Sequence, residues 1–210
     1  MDPFTRLEAT AVVLDIAKID TGMILPGRFM RKRRRKGEAT YAEAFLHDLR
    51  FDAEGRPRPD CVLNDPTFAD AQVLITAADF GCGSSREGAA YAVLDYGFRA
   101  LIGPSFGDIF YGNCVQNGVL PIVLDDACVE PLRAAVRRAP QTRITIDLAA
   151  QTVAAADGAI FDFAIDPTRK QRLLEGLDDV GVTLTHLESI EAFEAEHRAR
   201  MPWLGSFQAS

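Results

Sequence analysis

AQVLITAADFGCGSSREGAAYAVLDYGFRALI, residues 71–102, runs from a continuous apolar stretch through a glycine-rich turn into small and apolar residues at helical spacing, then into a second apolar stretch. The uninterrupted apolar run Ala71–Ala77 predicts a strand buried on both faces. The spacing of Ala89, Ala90, Ala92, Val93 and Leu94 predicts a helix over Ser85–Tyr96, with Gly97 as its C-terminal cap. Arg99–Ile102 reads as the next strand. Strand, turn, helix and strand make a βαβ unit with a parallel pair, and the chain is read as α/β.

The turn itself, Phe80-Gly81-Cys82-Gly83-Ser84-Ser85-Arg86-Glu87, carries the chemistry. Gly81 and Gly83 permit backbone conformations closed to other residues and let a ligand approach the main chain. The first N–H groups of the following helix give a partial positive charge, and Arg86 adds a planar fork suited to a carboxylate or phosphate. Two hydroxyls, Ser84 and Ser85, stand beside it. The same residues support a plainer reading, because Ser84 and Glu87 have the S-x-x-E spacing of a capping box. The turn lacks the Gly-Lys-Ser/Thr end of a phosphate loop and does not match the dinucleotide Gly-x-Gly-x-x-Gly pattern. Cys82, at a predicted helix start, is a minor candidate nucleophile.

Outward from this unit, Leu7–Leu14 is expected as a first strand, Ser105–Phe110 as a short helix and Val119–Leu124 as a strand. Ala127–Arg138 is an amphipathic helix closed by Pro140. Arg143–Leu148 and Gln151–Ala155 are a strand pair, Ala159–Ile165 a further strand, and Pro167–Glu175 a helix with proline at its favoured first position. Thr185–Arg200 reads as an acid-rich amphipathic tail helix. The opening Met1-Asp2-Pro3-Phe4-Thr5 is read as partly a cloning remnant and carries no weight. No repeat or low-complexity linker interrupts the 210 residues, so residues 1–210 are expected to form one domain.

The net charge of −7 argues against a general affinity for nucleic acid or membrane surfaces. One segment breaks that texture: Arg28–Lys36 holds seven basic residues in nine. With Phe29 as its one aromatic, it reads as a solvated surface or a basic loop over an acidic substrate before it reads as a nucleic-acid patch. No run of about 18 apolar residues and no signal peptide are present, so a cytoplasmic protein off the membrane is expected. The four cysteines (Cys61, Cys82, Cys114, Cys128) and three histidines (His47, His186, His197) lie at wide spacings, without a C-x-x-C pair, and no metal site is expected.

FGCGSSRE is followed by Asp95-Tyr96-Gly97-Phe98 and then by Pro104-Ser105-Phe106-Gly107-Asp108-Ile109-Phe110-Tyr111-Gly112-Asn113. Upstream stand Ile19-Asp20-Thr21 and Ile24-Leu25-Pro26, and downstream Gly176-Leu177-Asp178-Asp179-Val180-Gly181-Val182-Thr183-Leu184. Together these resemble the small subunit of 3-isopropylmalate dehydratase, in order and over about 190 residues. The resemblance implies a swivelling β/β/α domain similar to the mobile C-terminal domain of aconitase. It also implies a partner, a large subunit that holds a 4Fe-4S cluster, with no cofactor bound by this chain. The implied reaction takes a small di- or tricarboxylic hydroxy acid, removes water and returns it with the hydroxyl on the neighbouring carbon.

On this resemblance Ser84 is the catalytic base and Arg86 binds a substrate carboxylate, while Ser85 and Gly83 hold the substrate or the turn. Asp20 and Thr21 line or support the site, with a turn cap as the equal alternative. Phe29–Lys36, and Arg31 in particular, fall in the loop near residues 28–40 that closes on the substrate. The chain departs from the family pattern at Gly88, where histidine is usual, and at Gly22, where a second aspartate is usual. Those departures bear on the substrate more than on the reaction. A relative acting on methylmaleate, dimethylmalate or a homoaconitate-type acid is one alternative, and a non-catalytic anion-binding module is another.

Overall fold

The computed structural model describes residues 1–31, 38, 40–83 and 86–204. Seven strands form one sheet in the order β4-β3-β2-β1-β5-β6-β7. They are β1 (Arg6–Leu14), β2 (Val73–Thr76), β3 (Ala100–Gly103), β4 (Leu120–Val123), β5 (Arg143–Asp147), β6 (Thr152–Ala154) and β7 (Ile160–Asp162). The helices are α1 (Thr21–Ile24), α2 (His47–Arg50), α3 (Glu87–Tyr96), α4 (Asp108–Gln116), α5 (Asp126–Arg138), α6 (Pro167–Glu175), α7 (Asp179–Leu184) and α8 (Leu187–Arg200).

β1 joins two different halves. Along one side it pairs in parallel with β2, Ala11 opposite Val73, and β2, β3 and β4 continue in parallel. Along the other it pairs antiparallel with β5, Leu7 opposite Ile146, and β6 and β7 complete a meander. The predicted β2-α3-β3 unit is present, with Leu74 opposite Leu101. Every residue of β2 and β3 is buried, which explains their unbroken apolar runs.

Side chains alternate across the parallel half. Val12, Leu14, Leu74 and Leu101 pack with Ile24 of α1 and with Ala89, Ala90 and Val93 of α3. Ala11, Val73, Ile75, Ala100, Ile102 and Ile122 pack on the opposite face with Val129, Leu132 and Val136 of α5. Phe4, given no weight above, is 3 % exposed in that second core, and its N–H donates to the carbonyl of Leu173 at 2.8 Å.

Three predicted elements shift. The helix expected over Ser105–Phe110 begins at Asp108 and runs to Gln116, because residues 105–107 are held by β-like contacts to a distant loop. α3 begins at Glu87 with Arg86 at the N-cap, so Glu87 is not the third helical residue that a capping box needs, and its Oε1 instead accepts from Asn117 Nδ2 at 3.3 Å. The tail helix α8 buries none of its residues, and its large apolar side chains, Leu187, Ile190 and Phe193, are exposed. Among the described residues no helix is long and apolar enough to cross a membrane.

Candidate active site

The carboxyl ends of adjacent parallel strands are where open α/β sheets bind ligands. Here the segments leaving β1, β2 and β3 meet at that end. The segment after β2 is suspended between the other two. On the β1 side, Lys18 N donates to Ala78 O at 2.8 Å, Gly81 N to Ile19 O at 2.7 Å and Thr21 N to Cys82 O at 3.1 Å. On the β3 side, Gly107 N donates to Phe80 O at 3.0 Å, and Phe80 pairs with Phe106 as an isolated bridge. From the sheet's other face, Arg133 of α5 donates to the last carbonyl of β2, Thr76 O, at 2.7 Å.

Glycine is required twice in this suspension. At Gly81 φ is +74°, and a Cβ there meets Phe110 Cδ1 at 2.2 Å. At Gly107 the conformation is ordinary, but a Cβ meets the carbonyl oxygen of Gly81 at 2.2 Å, so two main chains touch.

The structure brings together Asp20, Thr21, Gly83 and Arg86. Asp20 forms a parallel bridge with Cys82, and a Cβ on Gly83, whose φ is +89°, lies 3.6 Å from Asp20 Cβ. Asp20 is also the cap of α1, its Oδ1 accepting from Met23 N at 2.8 Å, so the cap and the site position are one residue. Thr21 is buried beside it. The half-buried Arg86 turns its guanidinium toward two glycines, with Nη1 3.6 Å from a Cβ built on Gly22 and 3.7 Å from one built on Gly27. It makes no hydrogen bond or ion pair with the described residues. A cation half out of water without a partner among them, walled by backbone and seated at the N-cap of a 10-residue helix, is arranged to receive an anion. Ser84 and Ser85 lie outside the described residues.

The basic loop is only partly legible, since 32–37 and 39 also lie outside the described residues. Its first member, Arg28, is committed to the protein itself. Its guanidinium pairs with both carboxylate oxygens of Asp48, meets His47 Nδ1 at 3.2 Å and stacks 4.6 Å over the Phe29 ring. Arg31 is exposed and nothing among the described residues ties it to Arg86. The hydrogen bond from Arg28 holds the Asp48 carboxyl below its ordinary range. A depressed carboxyl contributes stability that is present above its unfolded value and lost as pH falls through the folded one. Asp48→Asn should therefore lower the melting temperature slightly at neutral pH, and the difference should close as the pH drops below about 4. A difference that persists in acid would show that the pair does not hold the loop base.

Two features were not anticipated. Gly27 walls the guanidinium, and its neighbour Pro26 together with the basic run gave no hint of that. At Gly88 a Cβ would stand 2.8 Å from buried Leu25 Cδ2, so the departure from histidine matches tight packing of α3 on the segment after α1. Burial pushes the Cys114 thiol well up, and the four cysteines are free.

Fold and site together define an aconitase-type domain, and residues 1–127 match the model of the aconitase C-terminal domain. Residues 130–167 match a model described as LeuD_N, and 179–206 match the model of the C-terminal domain of the 3-isopropylmalate dehydratase small subunit. The chain is 46 % identical over 204 residues to the 3-isopropylmalate dehydratase small subunit of Phenylobacterium zucineum, covering 97 % of this chain and 98 % of that one. It is 45 % identical to that of Dechloromonas aromatica, covering 98 % and 100 %. The chain belongs to the 3-isopropylmalate dehydratase small-subunit family. The crystal structure of a 3-isopropylmalate dehydratase from Methanocaldococcus jannaschii shares the fold, with a TM-score of 0.60 at 21 % identity, over 91 % of this chain and 99 % of that one.

Proposed function

We propose that this chain is the small subunit of a cytoplasmic 3-isopropylmalate dehydratase, a hydro-lyase of leucine biosynthesis that interconverts 2- and 3-isopropylmalate. One observation carries the reading: the guanidinium of Arg86, unpartnered among the described residues and at the N-cap of α3, faces the backbone of Gly22 and Gly27 beside the capping Asp20. In this reading Arg86 takes a substrate carboxylate with two parallel hydrogen bonds and fixes the carbon skeleton. Ser84 Oγ, as the alkoxide, takes the proton from the carbon beside a carboxylate as the hydroxyl leaves the neighbouring carbon, and on rehydration delivers a proton to the carbon that had carried that hydroxyl while water's oxygen adds to the other. Gly83 lets the substrate approach the main chain, Ser85 donates to substrate or turn, and Asp20 and Thr21 hold the segment opposite. Arg31 and its basic neighbours close over the acid. Residues 1–210 act as one domain, with the loop near 28–40 facing the substrate and the tail near 185–200 outside the chemistry.

A small subunit implies a large one, and the proposed 4Fe-4S cluster belongs there. Among the described residues of this chain no group of three or more His, Cys, Asp or Glu side chains is placed to hold a metal ion, so no step is assigned to a metal on this chain. When bound on the partner, the cluster supplies a Lewis acid for the departing hydroxyl.

The test is co-expression with the large subunit and hydration assays on isopropylmaleate, methylmaleate, dimethylmaleate and homoaconitate. The complex should hydrate isopropylmaleate best, and the isolated chain none of them. Arg86→Lys should raise KM by about tenfold or more with a smaller loss in kcat, because an ammonium cannot reproduce the fork. A complex without hydratase activity, together with micromolar carboxylate binding by the chain alone, would replace this reading with an anion-binding module. Preference for another diacid would move the substrate but keep the reaction.

A further inference from the structure

Two of the four non-glycine residues with positive φ among the described residues stand beside the proposed site. Lys18 and Asp79, both non-glycine, have φ of +59° and +60°, and Lys18 N donates to the carbonyl of Ala78, the residue before Asp79. Such a conformation persists where surrounding contacts over-determine it, and it gathers at functional sites. At Asp79 the contact is a closed pair. Asp79 N donates to Ser105 Oγ at 2.8 Å, and the Ser105 hydroxyl donates back to Asp79 Oδ1 at 2.8 Å. One hydroxyl satisfies both the amide and the carboxylate of a single left-handed residue. Asp79 O, in turn, accepts from Cys82 N at 3.3 Å, so the pair lies at the base of the turn that leads to Gly83.

We propose that Asp79 and Ser105 are positioning residues for the reaction, a clasp that sets the direction in which residues 80–83 leave β2. This rests on the reading of that turn as the active site. Neither side chain is assigned contact with substrate. The clasp acts through the turn because its two members come from the segments after β2 and after β3, the strands whose ends the turn must bridge. The packing beneath it is independent: Phe80 is fully buried against Phe110, with ring centroids 5.6 Å apart, and the β2–β3 ladder is complete without Ser105. Loss of the hydroxyl should therefore loosen the turn more than it lowers the stability of the domain.

The variants Ser105→Ala, Ser105→Thr, Asp79→Asn and Asp79→Gly separate the roles. In the reconstituted two-subunit enzyme Ser105→Ala should lower kcat about tenfold with KM within about twofold, the signature of misplacement without lost binding. Ser105→Thr should restore most of the rate. Asp79→Asn keeps an acceptor and tolerates the left-handed conformation, so it should stay near wild type. Asp79→Gly relieves the backbone but removes the acceptor, and should fall with Ser105→Ala. In the chain alone, amide exchange at Gly81, Cys82 and Gly83 should quicken in Ser105→Ala and not in Ser105→Thr, with β2 and β3 unchanged.

Wild-type exchange at those amides in Ser105→Ala would overturn the clasp. So would faster exchange without a loss in kcat, or a loss that threonine does not rescue. If the wild-type pair itself shows no hydratase activity, the proposed function fails, and the exchange measurements on the chain alone still decide whether the clasp holds the turn.

Discussion

Gly107→Ala is expected to cost this subunit about 2–3 kcal/mol of stability, a fall of roughly 4–12 °C in melting temperature, and about a hundredfold in activity of the assembled enzyme. The backbone angles at Gly107, φ −63° and ψ 132°, suit alanine well, so conformational strain plays no part. The cost is contact. A Cβ there would stand 2.2 Å from Gly81 O, 2.8 Å from Gly81 C and 3.0 Å from Cys82 Cα, all main-chain atoms that no rotamer can move aside. The methyl can be accommodated only if the segment after β3 separates from the turn. That separation breaks the 3.0 Å hydrogen bond from Gly107 N to Phe80 O and lifts the Phe80–Phe106 bridge. Gly112→Ala, on α4, is the control. Nothing lies within 4 Å of a Cβ there, and alanine should leave stability unchanged or raise it by up to about 1 kcal/mol. Calorimetry and turnover on the two variants decide the matter. Gly107→Ala with wild-type values in both would mean that the two main chains are not in contact.

The same contacts explain what was legible in the sequence. α6 falls at Pro167–Glu175 as read, because its signals are local: Asp166 accepts from Arg169 N, Pro167 opens the helix and Gly176, at φ +69°, ends it. The β2-α3-β3 unit was legible because a strand buried on both faces needs no alternation to be recognised. Ser105–Phe110 was misread because its helical composition is outweighed by bonds to Asp79 and Phe80, more than twenty residues away. No local rule carries that. The antiparallel pairing of β1 with β5 has no local signal either, since it joins Leu7 to Ile146.

At the site, Asp20 and Arg86 were singled out, but their convergence on Gly22 depends on the parallel register of β1 and β2. Gly27 and the Asp79–Ser105 pair were missed. For Asp79 a signal existed, because aspartate is one of the few side chains that tolerates the left-handed region. The arginine count of the basic loop overstated its free charge, because Arg28 is spent on Asp48.

Ser84→Ala should lower kcat of the reconstituted enzyme by about a thousandfold, within the range of a lost general base, and leave KM, assembly and melting temperature near wild type. A free serine hydroxyl is too weak an acid to act as a base near neutral pH, so the role requires a field that favours the alkoxide. In the proposed reading, the residues on either side of it in the sequence supply one. Gly83 at φ +89° precedes it, and the amides of α3, with the positive end of the helix and the Arg86 guanidinium, follow. That field acts only through Ser84, whereas carboxylate binding by Arg86 does not need it. The two variants should therefore split cleanly. Arg86→Ala raises KM and also lowers kcat, Ser84→Ala lowers kcat alone, and in Ser84→Ala/Arg86→Ala the kcat should fall little below that of Ser84→Ala. Additive losses in kcat would mean that Arg86 does not act on the serine. More than a tenth of the wild-type kcat in Ser84→Ala would remove the serine from the chemistry and leave the turn as a carboxylate cradle.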